Sequence, residues 1–281
     1  MRKPERRFPV ARVTFVAAAA VAVVLLSRTG HHTPRFRTLR TGVEFATLRG
    51  DPYCRMGTSD IAVLRLDPAR VRLRVEHYTQ LGVQSPLDIL EWEHRTGALA
   101  VFNAGQYYPD WSYMGLLVSN GRAISRKPHP GFKAALVADP RDGAGPGAHV
   151  LDLDIEPLPA DGAPWREVAQ SFMLFDDDGK VRVRQSGQVA YRTAVGEDAD
   201  GRILVIATEG GYTLFELAGL LRTSPLGLRR AMSMDGGNEA ALTVRSGSFL
   251  YASFGHRTAH GVPNPVRSTA PLPAVIAVLA P

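Results

Sequence analysis

Between Gly201 and Gly237 the chain spells out strand, helix and strand, and each strand ends in an acidic residue followed by two glycines. The first strand is the β-branched apolar run Ile203-Leu204-Val205-Ile206-Ala207, closed by Glu209-Gly210-Gly211. Thr213 then reads as an N-cap with Glu216 three residues on, a capping-box pattern, while Leu214, Leu217, Ala218 and Leu221 recur at helical spacing. The helix stops at Ser224-Pro225. Ala231 to Met234 supply the second strand, which delivers Asp235-Gly236-Gly237. Glycines at a strand end let the backbone turn where a side chain would obstruct it, so a ligand can approach main-chain N–H groups closely. Asp-Gly-Gly alone is a common turn. Two such ends in one strand-helix-strand unit can bring two carboxylates to one cleft.

Upstream, Ile61 to Leu66 and Val71 to Val75 read as strands, the second alternating and half exposed, joined by a turn at Asp67-Pro68. Ser85-Pro86 has the pattern of a helix start, with Leu87, Leu90 and His94 on one face and Gly97 at the end. That helix leads into a strand ending at Asn103, a residue suited either to a turn or to binding a sugar hydroxyl. Residues 139 to 166 are rich in Gly, Pro and Ala and suggest a surface excursion. Arg192 lies inside the apolar segment Val189 to Val195; if buried it needs an anionic partner, and a phosphate or a carboxylate is the natural one.

Four blocks in order resemble the phosphodiester glycosidase family. They are Val101-Phe102-Asn103-Ala104-Gly105-Gln106-Tyr107-Tyr108, Gly115 to Gly121, Tyr191-Arg192-Thr193-Ala194-Val195-Gly196, and the helix leading into Met234-Asp235-Gly236-Gly237. The tail Leu272 to Val278 looks like the family's closing strand. The resemblance implies a hydrolase that cleaves the glycosidic bond of a sugar-1-phosphodiester or related glycoconjugate. It implies a substrate lined by Asn103, Gly105, Arg192, Gly236 and Gly237. Paired acids suit that chemistry: Asp235 is the leading base or nucleophile, and Glu209 or Glu239 the second carboxylate. The chain departs from the family pattern at Asn238-Glu239 and at Ala104, which bring charge or bulk to the pocket. The competing reading is a non-catalytic module on the same fold that binds a carbohydrate or envelope polymer. The expected fold is α+β, a single domain of mixed β-sheets with a few covering helices.

Charge distribution narrows the partners. The chain carries 33 Lys and Arg against 27 Asp and Glu, but nine of the basic residues and one acid fall in the first 40 positions. The remainder is slightly acidic and has no electrostatic footprint for nucleic acid. Residues 1–12 form a basic n-region and residues 13–26 an apolar run of signal-peptide length. Residues 27–41 read as a linker and 42–281 as the folded domain. This head predicts an extracytoplasmic protein, with membrane attachment if the segment is not cleaved. Cys54 is the sole cysteine and reads as structural. Asp176-Asp177-Asp178-Gly179 reads as a hairpin turn, and His256 and His260 as loop residues. No metal site and no cofactor are expected. No nucleophile elbow, P-loop or zinc-protease helix occurs.

Overall fold

The computed structural model describes residues 33–143, 147–255 and 270–281. The apolar run 13–26, His256 and His260 lie outside the described residues. Strands β1 (Arg37–Arg40), β2 (Val43–Arg49), β3 (Met56–Leu66) and β4 (Arg72–His77) precede helix α1 (Ile89–Thr96). There follow β5 (Ala100–Asn103), β6 (Leu116–Ser119), β7 (Arg122–Arg126), β8 (Ala134–Pro140), β9 (Ala148–Asp152) and β10 (Trp165–Phe175). The last part contains β11 (Arg192–Asp198), β12 (Ile203–Gly211), α2 (Leu214–Thr223), β13 (Leu228–Gly236), β14 (Ala241–Ser246), β15 (Phe249–Phe254) and β16 (Ala274–Leu279).

The strands build two sheets. The larger runs β1-β2-β3-β12-β11-β13-β10-β6-β7, with β8 also pairing β10 and carrying β9; the smaller runs β15-β14-β5-β16-β4. Leu64, Val205, Val195 and Met232 of the larger sheet share one core with Phe102, Leu242, Ile276 and Val75 of the smaller. On the outer face of the larger sheet, Leu217, Leu220 and Leu221 of α2 cover Leu204, Ile206 and Ala194. Ile89 and Trp92 of α1 cover Val101, Val275 and Ala277 of the smaller. The order is therefore helix, sheet, sheet, helix. The unbroken apolar run of β12 follows from this layering, because both of its faces are buried.

The domain is mostly β, with only two α-helices among the described residues, so the α+β expectation is corrected in balance. The sheets are not mixed: all the pairings between named strands are antiparallel. Ordered structure also begins before residue 42, since β1 pairs with β2 inside the expected linker.

Helix α2 forms as the sequence predicts. Thr213 Oγ1 accepts from Glu216 N at 3.1 Å and Ser224 closes the helix. Glu216 also pairs with Arg55, so it is a capping and ion-pair residue. Helix α1 starts later than Ser85. Asp88 is the cap: it accepts from Leu90 N at 2.8 Å and Glu91 N at 2.9 Å, and Glu91 returns a bond to Asp88 N at 3.0 Å. Leu87 is instead held in a bridge to Leu272. The buried face is then set by Ile89 and Trp92, whose indole donates to the Leu272 carbonyl at 2.8 Å. Gly97 ends the helix at φ 61°. The stretch 139–166 is not wholly an excursion, because β9 lies within it and buries Val150 and Leu151. Asp176 to Gly179 do form a turn, and Asp176 pairs with Arg182.

Candidate active site

β12 and β13 run in the same direction with β11 antiparallel between them. The two acidic-Gly-Gly ends therefore lie at the same end of the larger sheet, flanking the start of β11, where Tyr191 and Arg192 stand. Gly236 sits opposite Arg192 in the register, next to a bulge that separates this pair from Ala194 and Ser233. The bulge adds a residue to β13 and turns its end out of the regular pleat.

Asp235 is half-buried. Its Oδ1 accepts from Gly236 N at 2.8 Å. Burial pushes its carboxyl up to about 7; the Glu239 carboxylate adds to the rise, while the Gly236 N–H and the Arg192 guanidinium oppose it. Asp235 and Glu239 are thus the carboxylates that sense each other. Glu239 closes a 3-10 turn, Gly237–Glu239, entered with Gly237 at φ 76°, a left-handed conformation that favours glycine.

Arg192 is buried. Its Nε donates to the Tyr212 carbonyl at 3.0 Å and Nη2 to the Gln188 carbonyl at 2.9 Å. Burial lowers its pKa, and Asp235 acts in the opposite direction. A Cβ added to Gly236 would lie 3.0 Å from Arg192 Nη1 and 2.9 Å from the Tyr191 carbonyl, so glycine at this position makes room for the guanidinium. Two carbonyls hold the fork, and Nη1 remains turned toward the Asp235-Gly236 corner.

Asn103 reaches the same corner in another role. Its Nδ2 donates to the carbonyls of Ala104 (3.1 Å) and Asp235 (3.0 Å), and its Oδ1 accepts from Ala241 N at 3.0 Å. Fully engaged and 1% exposed, it ties the ends of β5, β13 and β14 together and offers no free amide to a sugar. Gly105 is similarly committed. Its N–H donates to Tyr113 Oη at 3.0 Å, and a Cβ there would meet that oxygen at 2.4 Å.

Glu209 stands one strand further along, hydrogen-bonded by Tyr251 of the smaller sheet. It raises the pKa of Tyr191, after burial, and is not among the charges acting on Asp235. Cys54 is half-buried against the backbone of the same region, with Sγ 3.1 Å from the Met56 carbonyl. Among the described residues no group of three or more His, Cys, Asp or Glu side chains could hold a metal ion.

Sequence reasoning passed over Tyr107 and Gln106 as site residues. The Tyr107 hydroxyl lies 3.0 Å from the Pro271 carbonyl and in hydrogen-bonding reach of Glu239; burial first, then Glu239 and Asp235, push its pKa upward. Gln106 Nε2 donates to the Met234 carbonyl at 3.1 Å, and its Oε1 accepts from Ser171 Oγ at 3.0 Å. Their contacts lie 65 to 164 residues away along the chain, where no local pattern reports them; their place directly after Asn103-Ala104-Gly105 was the available signal.

The family model for phosphodiester glycosidases matches residues 96–279, which spans Asn103, Arg192, Asp235 and Glu239. The chain belongs to the phosphodiester glycosidase family. A search against curated proteins returns no match. Among solved structures, a hypothetical protein from Synechocystis aligns at a TM-score of 0.61 and 14% identity, over 88% of this chain and 64% of that one. This chain therefore spans less than two thirds of that relative's length. The zebrafish N-acetylglucosamine-1-phosphodiester alpha-N-acetylglucosaminidase catalytic domain, auto-inhibited by its pro-peptide, aligns at 0.58 and 15% identity, over 88% of this chain and 82% of that one. At such identity the two likenesses establish the phosphodiester glycosidase fold and no more.

Proposed function

We propose that this protein is a hydrolase that cleaves the glycosidic bond of a sugar-1-phosphodiester, with Asp235 as the proton-transfer group. The observation that carries the reading is the raised carboxyl of Asp235, at about 7, facing a second carboxylate, Glu239, with a buried guanidinium behind it. A general base works best when its pKa lies near the working pH. Water attacks the anomeric carbon as Asp235 takes its proton. The bond from that carbon to the phosphate oxygen breaks, and the phosphate leaves with the electron pair. A phosphate is already a good leaving group and needs little protonation. Arg192 contributes positive charge as negative charge develops, and Glu239 is the second carboxylate that faces the sugar. Asn103, Gly236 and Gly237 act as positioning residues, and Glu209 braces the neighbouring strand end through Tyr251.

The same reading places the domain outside the cytoplasm, carried by the basic head and the apolar run 13–26, with a sugar phosphodiester or cell-envelope glycan as its substrate. It calls for no cofactor.

The deciding experiment is turnover of glycosyl phosphodiesters by the purified protein and by Asp235→Asn, with binding measured alongside. Removal of the base should lower kcat by a factor of about 10² to 10⁴ and leave binding largely intact. Near-normal turnover by folded Asp235→Asn would remove Asp235 from the mechanism. Binding of an envelope glycan without hydrolysis of any phosphodiester offered would instead favour a carbohydrate-binding module.

A further inference from the structure

The hydroxyl of Tyr107 is a group at the catalytic corner that the reaction as described does not use. Two segments run out from the sheets here, Ala104 to Tyr107 from β5 and Asp235 to Glu239 from β13. They meet first where Asp235 N donates to the Ala104 carbonyl at 3.0 Å, and again where Tyr107 reaches Glu239. The Tyr107 ring has little freedom to leave. Its backbone bridges Tyr113, the preceding Gln106 is bonded to Met234 and Ser171, and the Trp111 ring stands 5.4 Å away.

The hydroxyl faces two acceptors with one proton. The Pro271 carbonyl is 3.0 Å away, and the Glu239 carboxylate is the second. A tyrosine O–H donates to one acceptor at a time, and rotation about its C–O bond carries the proton from one to the other without breaking a bond to hydrogen. Burial and the two carboxylates keep the hydroxyl protonated, so it serves as a donor and not as a base. Asp235 must be ionised to take a proton from water, and the Glu239 carboxylate then stands beside it as a second charge. Like charges at close range disfavour that doubly ionised state, whereas a hydrogen bond donated to a carboxylate favours it. The titratable and charged groups described around the hydroxyl are Asp235 of β13, Glu239 of the 3-10 turn, Arg192 of β11, which acts on Asp235, and Tyr113 of the hairpin. The Tyr113 hydroxyl is engaged elsewhere, accepting from Gly105 N and donating to the Gln170 carbonyl, each at 3.0 Å.

We propose that Tyr107 is a positioning residue for Glu239: its hydroxyl turns from the Pro271 carbonyl to the Glu239 carboxylate and so lets Asp235 and Glu239 be ionised together. The base then works at a lower pH than the two carboxylates alone would allow, and Glu239 is aimed by a ring that is itself fixed. This inference rests on the reading of the Asp235 centre as a phosphodiester glycosidase site.

The test is a pH titration of the substrate-free, full-length protein followed by carboxyl carbon NMR, with the kcat/KM profile on a glycosyl phosphodiester recorded beside it. Tyr107→Phe should move the carboxyl titration that lies near 7, and the rising limb of the rate profile with it, to higher pH by on the order of one pH unit. At neutral pH kcat should fall on the order of tenfold while KM changes little. In a Glu239→Gln background, where the repulsion is absent, the titration should lie lower, and Tyr107→Phe should move it no further. A hydroxyl that merely braces the segment at Pro271 would cost stability and leave the titration in place. Should Tyr107→Phe fail to fold, Glu239→Asp, which draws the carboxylate back by a methylene, should move the titration in the same direction. An unmoved titration in the folded variant, or an equal displacement with and without Glu239, would overturn the assignment. The two readings fail separately. If glycosyl phosphodiesters are cleaved and Tyr107→Phe leaves the titration unmoved, only the role of Tyr107 falls. If the titration moves as expected and no phosphodiester is cleaved, the pairing stands and the glycosidase reading falls.

Discussion

Asp235 does two jobs with different parts of one residue. Its backbone N–H donates to the Ala104 carbonyl at 3.0 Å and its C=O receives Asn103, while its carboxyl faces Glu239. As a general base that must be ionised, it should give a kcat/KM profile that rises with pH through about 7; a profile that falls over that range would make it an acid. The same carboxyl weakens the fold as it ionises. Its folded pKa lies above the ordinary carboxylate value, so its contribution to stability is complete below about pH 4 and is lost as pH rises through 7. Asp235→Asn should therefore unfold at higher denaturant than the parent at pH 8, by on the order of 2 kcal/mol, and the gain should vanish near pH 4. Asp235 and Arg192 could be singled out in the sequence, the first beside glycines and the second within an apolar run, and Glu239 stood out as a departure from the family pattern. The commitment of Asn103 to three bonds could not, because its partners are at Ala104, Asp235 and Ala241.

At the level of elements, capping chemistry was readable where one candidate stood alone. Thr213 and Glu216 had no rival, and α2 formed as expected. For α1, Ser85-Pro86 and Asp88-Glu91 both satisfy start patterns. The reciprocal bonds of Asp88 and Glu91 prevail because Leu87 is drawn into its bridge with Leu272, a tertiary contact invisible to local periodicity. Asn103 is the comparable fixture at the strand ends. Asn103→Ala removes its amide bonds and leaves the Asp235 carbonyl and the Ala241 N–H without that partner. The expected loss is about 2–4 kcal/mol of stability, read by denaturant melting. KM and kcat should both suffer because the end of β13 is no longer fixed. A variant of unchanged stability would refute this role.

Across the whole molecule, runs such as β12 identified strands, but their order did not follow from them. β3 pairs with β12 across about 140 residues, and β11 separates β12 from β13 although α2 joins those two strands in sequence. Helix, sheet, sheet, helix layering is a product of such long-range pairings, which explains why mixed sheets were expected and antiparallel ones were found. The basic head predicts that a reporter fused after residue 281 will be active outside the cytoplasm; activity confined to the cytoplasm of intact cells would exclude export. The bond from Asp235 N to the Ala104 carbonyl and the bond from Asn103 to the Asp235 carbonyl fasten one sheet to the other at the very place where the chemistry is assigned. Breathing between the layers cannot then admit a ligand without first undoing the clasp that shapes the catalytic corner. Heat should silence the enzyme and melt it over the same temperature interval, with no window in which a folded but inactive form accumulates; loss of turnover well below the calorimetric transition would show that the clasp opens on its own.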